Sequence, residues 1–175
     1  SFGQNLGQLK NSGTEFFGLN GHVQLNSNWQ GIFAVYLGTT ESGLGGNGLV
    51  ENSGLFNLDN SVNSNSWSLG LNSSPDWQTD DRLSISLNQP LRVQSGQGSL
   101  QLATGRTTDR QVIYETVNFD LQPQGREQQL ELLYQFKLGD IRAATRVEYT
   151  YQPHHNPHNP SYGVIEFSLF RAFTP

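Results

Sequence analysis

The sequence predicts an all-β fold, an antiparallel up-and-down transmembrane β-barrel of roughly 8–10 strands. Three observations carry that reading. Apolar residues recur with period two rather than 3.6, and Gly, Asn, Ser and Pro interrupt them at short intervals. The face opposite the apolar rows is made of Ser, Asn, Gln and Gly with a few Arg and Glu, where a soluble surface would carry dense Lys and Glu. Aromatic rings at Trp29, Trp67, Tyr149, Tyr151 and Phe173 fall near predicted strand ends, where interfacial girdles place them.

Composition narrows the classes. The chain has 175 residues, enough for one domain over 1–175, with 34% hydrophobic residues, only 14% charged ones and 19 Gly. A net charge of −5 without clustered Lys or Arg speaks against nucleic acid as a partner. The absence of Cys excludes disulfides and thiolate metal sites. No run of about 18 apolar residues exists, so no transmembrane helix is expected, and a bilayer would have to be crossed by strands. The start at Ser1, without a basic apolar leader, is what a processed product is expected to look like.

Residues 1–14 read as an N-terminal lead-in. "FGLNGHVQL" sets Phe17, Leu19, Val23 and Leu25 against Asn20, His22 and Gln24, and "NSN" then makes a turn. "WQGIFAVYLG" repeats the pattern with Trp29, Phe33, Val35 and Leu37. Residues 39–63 lack sustained alternation and read as a long Gly-rich loop, with "GLGGNG" a mobile extracellular stretch rather than a phosphate cradle, because no Lys-Ser/Thr follows it. "SWSLGLNSS" resumes with Trp67, Leu69 and Leu71, and Pro75 to Asp81 form a turn. "DRLSISLNQPLRV" is the strongest strand, with Leu83, Ile85, Leu87, Leu91 and Val93 on one face. "SLQLAT" and "VIYETVNFDL" follow around "GRTTDR", with a slip of period near Glu115 that suggests a bulge. A hairpin turning at Gly139-Asp140 joins Leu130, Leu132, Tyr134, Phe136 and Leu138 to Ile141, Ala143, Val147, Tyr149 and Tyr151. Residues 152–161 are a His- and Pro-rich loop, expected to be exposed and flexible, before the last strand with Ile165, Phe167, Leu169 and Phe173.

The alternation suits two opposite arrangements. In a membrane barrel, Leu83, Ile85, Leu87, Leu91, Leu130, Leu132, Phe136, Val147, Phe167 and Leu169 face lipid. A lumen network of Arg82, Arg92, Glu131, Lys137, Arg142, Arg146, Glu148 and Glu166 then pairs its charges inside. Arg171 has lipid-facing parity, which costs about 0–1 kcal/mol near a strand end but ~2–4 kcal/mol at mid-bilayer. In the alternative, a soluble β-barrel, the apolar face points inward and binds an apolar small ligand.

Enzymatic chemistry is not indicated. No G-x-S-x-G elbow is present. His154, His155 and His158 are metal-capable residue types on a loop without a fixed second shell, so no metal site is assigned. Glu131 and Glu166 read better as neutralised lumen charges than as paired acids. No cofactor is expected.

"DRLSISLNQPLRVQSGQGSLQL", "GREQQLELLYQF" and the last strand to Phe173 resemble the C-terminal translocator barrel of bacterial autotransporters, of the kind attached to subtilisin-like serine proteases. The resemblance covers roughly residues 64–173. It implies a Gram-negative outer-membrane location and lipid and the outer-membrane assembly machinery as partners. It further implies Phe173 as a C-terminal assembly signal, and a role in anchoring or translocating a passenger, or as a small structural barrel beside another membrane protein. Family barrels are usually larger and carry a pore-filling linker helix, so the resemblance implies a smaller derivative or a piece of a longer precursor. The family's protease region is not in this sequence, and no catalytic residue is implied.

Overall fold

The computed structural model describes residues 13–41, 56–58, 60–77 and 80–171. Ten strands appear among them: β1 (Thr14–Gln24), β2 (Trp29–Thr40), β3 (Phe56–Leu58), β4 (Val62–Ser73), β5 (Arg82–Ser95), β6 (Gln97–Arg106), β7 (Val112–Asp120), β8 (Gln128–Leu138), β9 (Ile141–Tyr151) and β10 (Tyr162–Arg171). They form a seven-stranded sheet in the order β1-β2-β4-β5-β8-β9-β10 and a three-stranded sheet β3-β6-β7. The all-β, antiparallel reading is what the chain shows. Closure is not: among the described residues β1 and β10 are edges of the larger sheet, and no closed barrel forms. Alternation specifies which way side chains point, but edge-to-edge pairing is a long-range event that it does not encode.

Contacts divide the chain into two compact units, one of residues 1–17, 37–64 and 93–123, the other of 18–36, 65–92 and 124–175. In the first, β6 and β7 make a hairpin whose turn is closed by Thr107 N–H to the Gln111 carbonyl, 2.8 Å. The slip of period belongs to β6 rather than to Glu115: the register passes from Ala103↔Tyr114 to Gly105↔Ile113, so Thr104 is the extra residue of a bulge. Every residue from Leu102 to Asp120 is exposed. A polar ladder crosses the other strands of this unit, with Thr39 Oγ1 donating to Asn63 Oδ1 at 3.0 Å and Asn63 Nδ2 to Ser95 Oγ at 3.1 Å.

In the second unit β8 and β9 pair from Gln128↔Tyr151 to Leu138↔Ile141, joined through Gly139-Asp140 as the turn chemistry predicts. Gly139 has φ 57°, a left-handed backbone that a side chain would oppose. The Pro75–Asp81 turn is clamped by one carboxylate: Asp81, 3% exposed, accepts from the N–H groups of Asp76 and Trp77 and from the Tyr134 hydroxyl. Trp77 then rests against Tyr134 with ring centroids 5.8 Å apart.

Several expected boundaries move. The 39–63 loop holds the end of β2, the three-residue β3 and the start of β4, so Trp67 lies inside a strand rather than at its end. Asn, Ser and Gly at those positions hid the strands, because their ladder bonds come from the backbone and need no apolar side chain. Trp29 opens β2, and Tyr149 and Tyr151 close β9, as expected. The "GLGGNG" stretch, most of the 1–14 lead-in and Phe173 lie outside the described residues.

Candidate functional site

The register lines the side chains of the second unit into rows. Ile85, Leu132, Val147 and Ile165 stand abreast across β5, β8, β9 and β10; Leu87, Leu130 and Tyr149 form the next row, and Phe136, Ala143 and Leu169 another. The opposite face carries Ser86, Glu131 and Glu148 in one row and Ser84, Leu133, Arg146 and Glu166 in the next. All ten residues expected to face lipid thus lie on strands with the predicted parity, and Leu83, Ile85 and Phe136 are half-buried while the other seven are exposed. Ile165 is 77% and Phe167 62% exposed.

Burial runs opposite to that of a folded soluble core. Among the described residues the one buried hydrophobic side chain is Ala143, whereas Ser73, Asp81, Gln89, Arg92, Ser99 and Thr150 are buried and polar. Buried polar groups are tolerated where they are satisfied, and hydrogen-bonded pairs occur at positions of both parities. Ser84 Oγ donates to Asn72 Oδ1 at 2.8 Å, and Gln89 Nε2 to Asn65 Oδ1 at 2.9 Å. Gln89 and Asn65 sit at positions of apolar parity, which the sequence pattern did not mark as special.

At the centre of the polar face one cation meets three carboxylates. Glu131 and Glu148 stand directly opposite each other on β8 and β9, a repulsive arrangement on its own. Arg146 lies two residues from Glu148 on the same strand face and relieves it: its Nη2 is 2.6 Å from Glu131 and 2.7 Å from Glu148, and its Nη1 is 3.3 Å from Glu166 on β10. Thr150, fully buried, donates to the remaining oxygen of Glu148 at 3.2 Å. Half of the expected polar network is therefore one cluster that ties three strands together. With one guanidinium and three carboxylates it keeps an excess of negative charge. Arg146→Met is expected to leave those carboxylates facing one another and to lower the urea midpoint clearly. The deficit should shrink on combining it with Glu131→Gln and Glu148→Gln. An unchanged midpoint at neutral pH would show that the cluster does not hold the strands.

The other four expected members lie elsewhere. Arg92, 6% exposed, donates from Nε to the Gly125 carbonyl at 2.9 Å. Lys137 and Arg142 face each other across β8 and β9 next to the Gly139-Asp140 turn, both exposed, where water screens their like charges. Arg82 is exposed at the start of β5. Arg171 is the last described residue of β10, opposite Ile141, which places it at a strand end as expected.

Residues 152–161 form a loop that is exposed at most positions, as expected, and that is bonded onto the turn at residues 125–127. Gln152, His154 and His155 take left-handed backbone at φ 48°, 61° and 55°, a conformation that persists only where the surroundings impose it. Here they do. Arg126 N–H donates to Gln152 Oε1 at 2.8 Å, Gly125 N–H to the His155 carbonyl at 2.8 Å, and His154 N–H to Glu127 Oε2 at 2.7 Å. The His155 ring is the pin. Nδ1 accepts from the Glu127 N–H at 2.9 Å, which fixes the tautomer, so Nε2–H donates to the Leu91 carbonyl at 2.9 Å. With both ring nitrogens engaged, His155 has no lone pair to offer a metal in this arrangement. Among the described residues no group of three His, Cys, Asp or Glu converges on a metal position.

Sequence reading missed two determinants, Gly125 and Asp81. Nothing in "QPQGREQQ" singles out Gly125, and Asp81 is one of several acids in a turn. Their partners are 30 positions away in the chain for Gly125 with His155 and 53 for Asp81 with Tyr134, distances over which a local pattern says nothing.

No family model matches this chain, and neither a curated protein nor a solved structure matches it.

Proposed function

We propose that the chain forms the wall of an outer-membrane β-barrel of the autotransporter-translocator type, which anchors or helps export a passenger rather than catalysing a reaction. The observation that supports this most is the distribution of polarity: apolar rows lie in register on a largely exposed face, while the opposite face carries bonded polar and charged groups such as Ser84 with Asn72 and Arg146 with its three carboxylates. In water, rows such as Ile85-Leu132-Val147-Ile165 would be an aggregation surface; against hydrocarbon they are stable. A soluble barrel with an apolar interior would need those side chains to converge on a dry centre.

Dimensions agree with this reading. The seven strands of the large sheet run from 10 to 14 residues, against the roughly 9–11 residues that a tilted strand needs to cross a bilayer. The apolar alternation of β8 from Leu130 to Leu138 covers about 27 Å of strand, or roughly 20 Å of depth at a tilt of about 40°, most of an apolar band ~25 Å tall.

Hydrocarbon does not tolerate free strand edges, so β1 and β10 must find partners in the membrane form. In an antiparallel sheet of seven strands the first and last run in the same direction. Direct pairing of β1 with β10 would therefore be parallel, and fully antiparallel closure takes an odd number of additional strands. Those strands would come from residues outside the described ones or from another chain.

The test uses the absence of native Cys. Single fluorophores at Val147→Cys and Ser86→Cys, in protein folded into vesicles carrying nitroxide-labelled lipid tails, should be quenched at the first position and spared at the second. Folded protein should also migrate differently in detergent gels before and after boiling. Equal quenching at both sites, or a monomer that stays soluble without detergent, would overturn the membrane reading.

A further inference from the structure

We propose that the polar face carries a binding site for a small anionic saccharide, centred on Arg82. The site is a recess of about 440 Å³ in the second unit, beside the turn that joins β1 to β2 and the turn that joins β4 to β5. That volume falls within the ~300–1,000 Å³ of ordinary small-molecule sites.

The chemistry of the wall selects the ligand. Arg82 is its one cation, and no Asp or Glu is among its lining residues. The guanidinium makes no hydrogen bond or ion pair among the described residues, whereas Arg92 and Arg146 of the polar network are both engaged. An unspent planar fork of five donors fits one carboxylate or phosphate bidentately.

Around it stand neutral groups with capacity left over. Asn72 accepts from Ser84 through Oδ1, which leaves its Nδ2 donors free to serve a ligand. Gln24 spends its Nε2 on the carbonyls of Asn26 and Trp29 and keeps Oε1 as an acceptor. Gln30 and Gln135 add two more amides. Sugar hydroxyls both donate and accept, so a wall that mixes donors and acceptors matches them better than it would a bare ion.

Ser73, 5% exposed, is also among the residues that line the recess.

The site stands apart from the membrane reading, since it depends on the local wall and not on what the apolar face meets. The probes are glucuronate, glucose and inorganic phosphate, titrated by NMR into the full chain folded in detergent. Glucuronate should bind saturably at millimolar concentrations and about ten-fold more tightly than glucose or phosphate. Arg82→Gln should erase the preference for glucuronate over glucose, and Gln30→Ala should weaken both sugars. Near-ultraviolet circular dichroism confirms that each variant is folded, and because Arg82 is exposed its replacement should not disturb the fold. The proposal is overturned by no saturable glucuronate binding up to about 50 mM, by binding that Arg82→Gln leaves unchanged, or by phosphate binding as tightly as glucuronate.

Discussion

Gly125→Ala is expected to destabilise the protein by about 3 kcal/mol or more, because the added methyl meets backbone that has nowhere to go. A Cβ at this position would lie 2.6 Å from the His155 carbonyl oxygen and 2.8 Å from both the His155 carbonyl carbon and the Pro157 nitrogen. None of those atoms is the end of a flexible side chain. Arg92 holds the Gly125 carbonyl, the Gly125 N–H holds the His155 carbonyl, and the Glu127 N–H holds the His155 ring. Relief requires the three left-handed residues of the loop to shift together and abandon several bonds. The matching control is Gly105→Ala, whose Cβ would meet nothing nearer than Ile113 Cδ1 at 3.9 Å. Urea unfolding in a fixed detergent should show a large drop in midpoint for the first and almost none for the second. A Gly125→Ala protein within about 0.5 kcal/mol of the parent would mean that the 152–161 segment is not locked onto this turn.

Leu132→Arg is the second large effect, about 2–4 kcal/mol if the residue sits near mid-bilayer depth. Leu132 is the middle of its apolar row, flanked by Ile85 on one strand and Val147 on the other. A guanidinium there has no carboxylate in its own row and a long way to snorkel. Gln135→Arg, three residues along the same strand with parity for the opposite face, should cost far less. The comparison is made by reversible folding into short-chain phospholipid bilayers and repeated in water-miscible detergent, where the gap between the two variants should narrow. If Gln135→Arg were the more damaging in bilayers, the polarity of the sheet would be the reverse of that proposed.

The two substitutions probe different levels of what the chain encodes. The face of each strand was readable because it is a local property: in "DRLSISLNQPLRV" or "EQQLELLYQFKL" a period of two sends Leu one way and Ser, Glu or Arg the other whatever the partner strand is. The Gly139-Asp140 turn was readable for the same reason. Strands made of Asn, Ser and Gly, such as the first half of β4, were not, because their identity lies in backbone pairing that leaves no apolar trace. The site divided along the same line. All eight charged members of the expected polar face were nameable from parity, but which of them meet was not: Arg146 collects Glu131, Glu148 and Glu166 only because β8, β9 and β10 pair in one register, and a shift of one residue would carry each charge to the other face.

By itself the sequence determined the class of structure, the two-sidedness of its strands and the chemical contrast between the sides, since each of these follows from which residue types alternate within a dozen positions. Only the tertiary structure decided the strand order, with β1 and β10 at the edges of the larger sheet among the described residues, the grouping of one guanidinium with three carboxylates, and the pinning of a His-rich segment by Gly125 and Glu127. Those features are contacts between residues distant in the chain, and their geometry is set by register and loop closure, which no run of neighbouring side chains specifies.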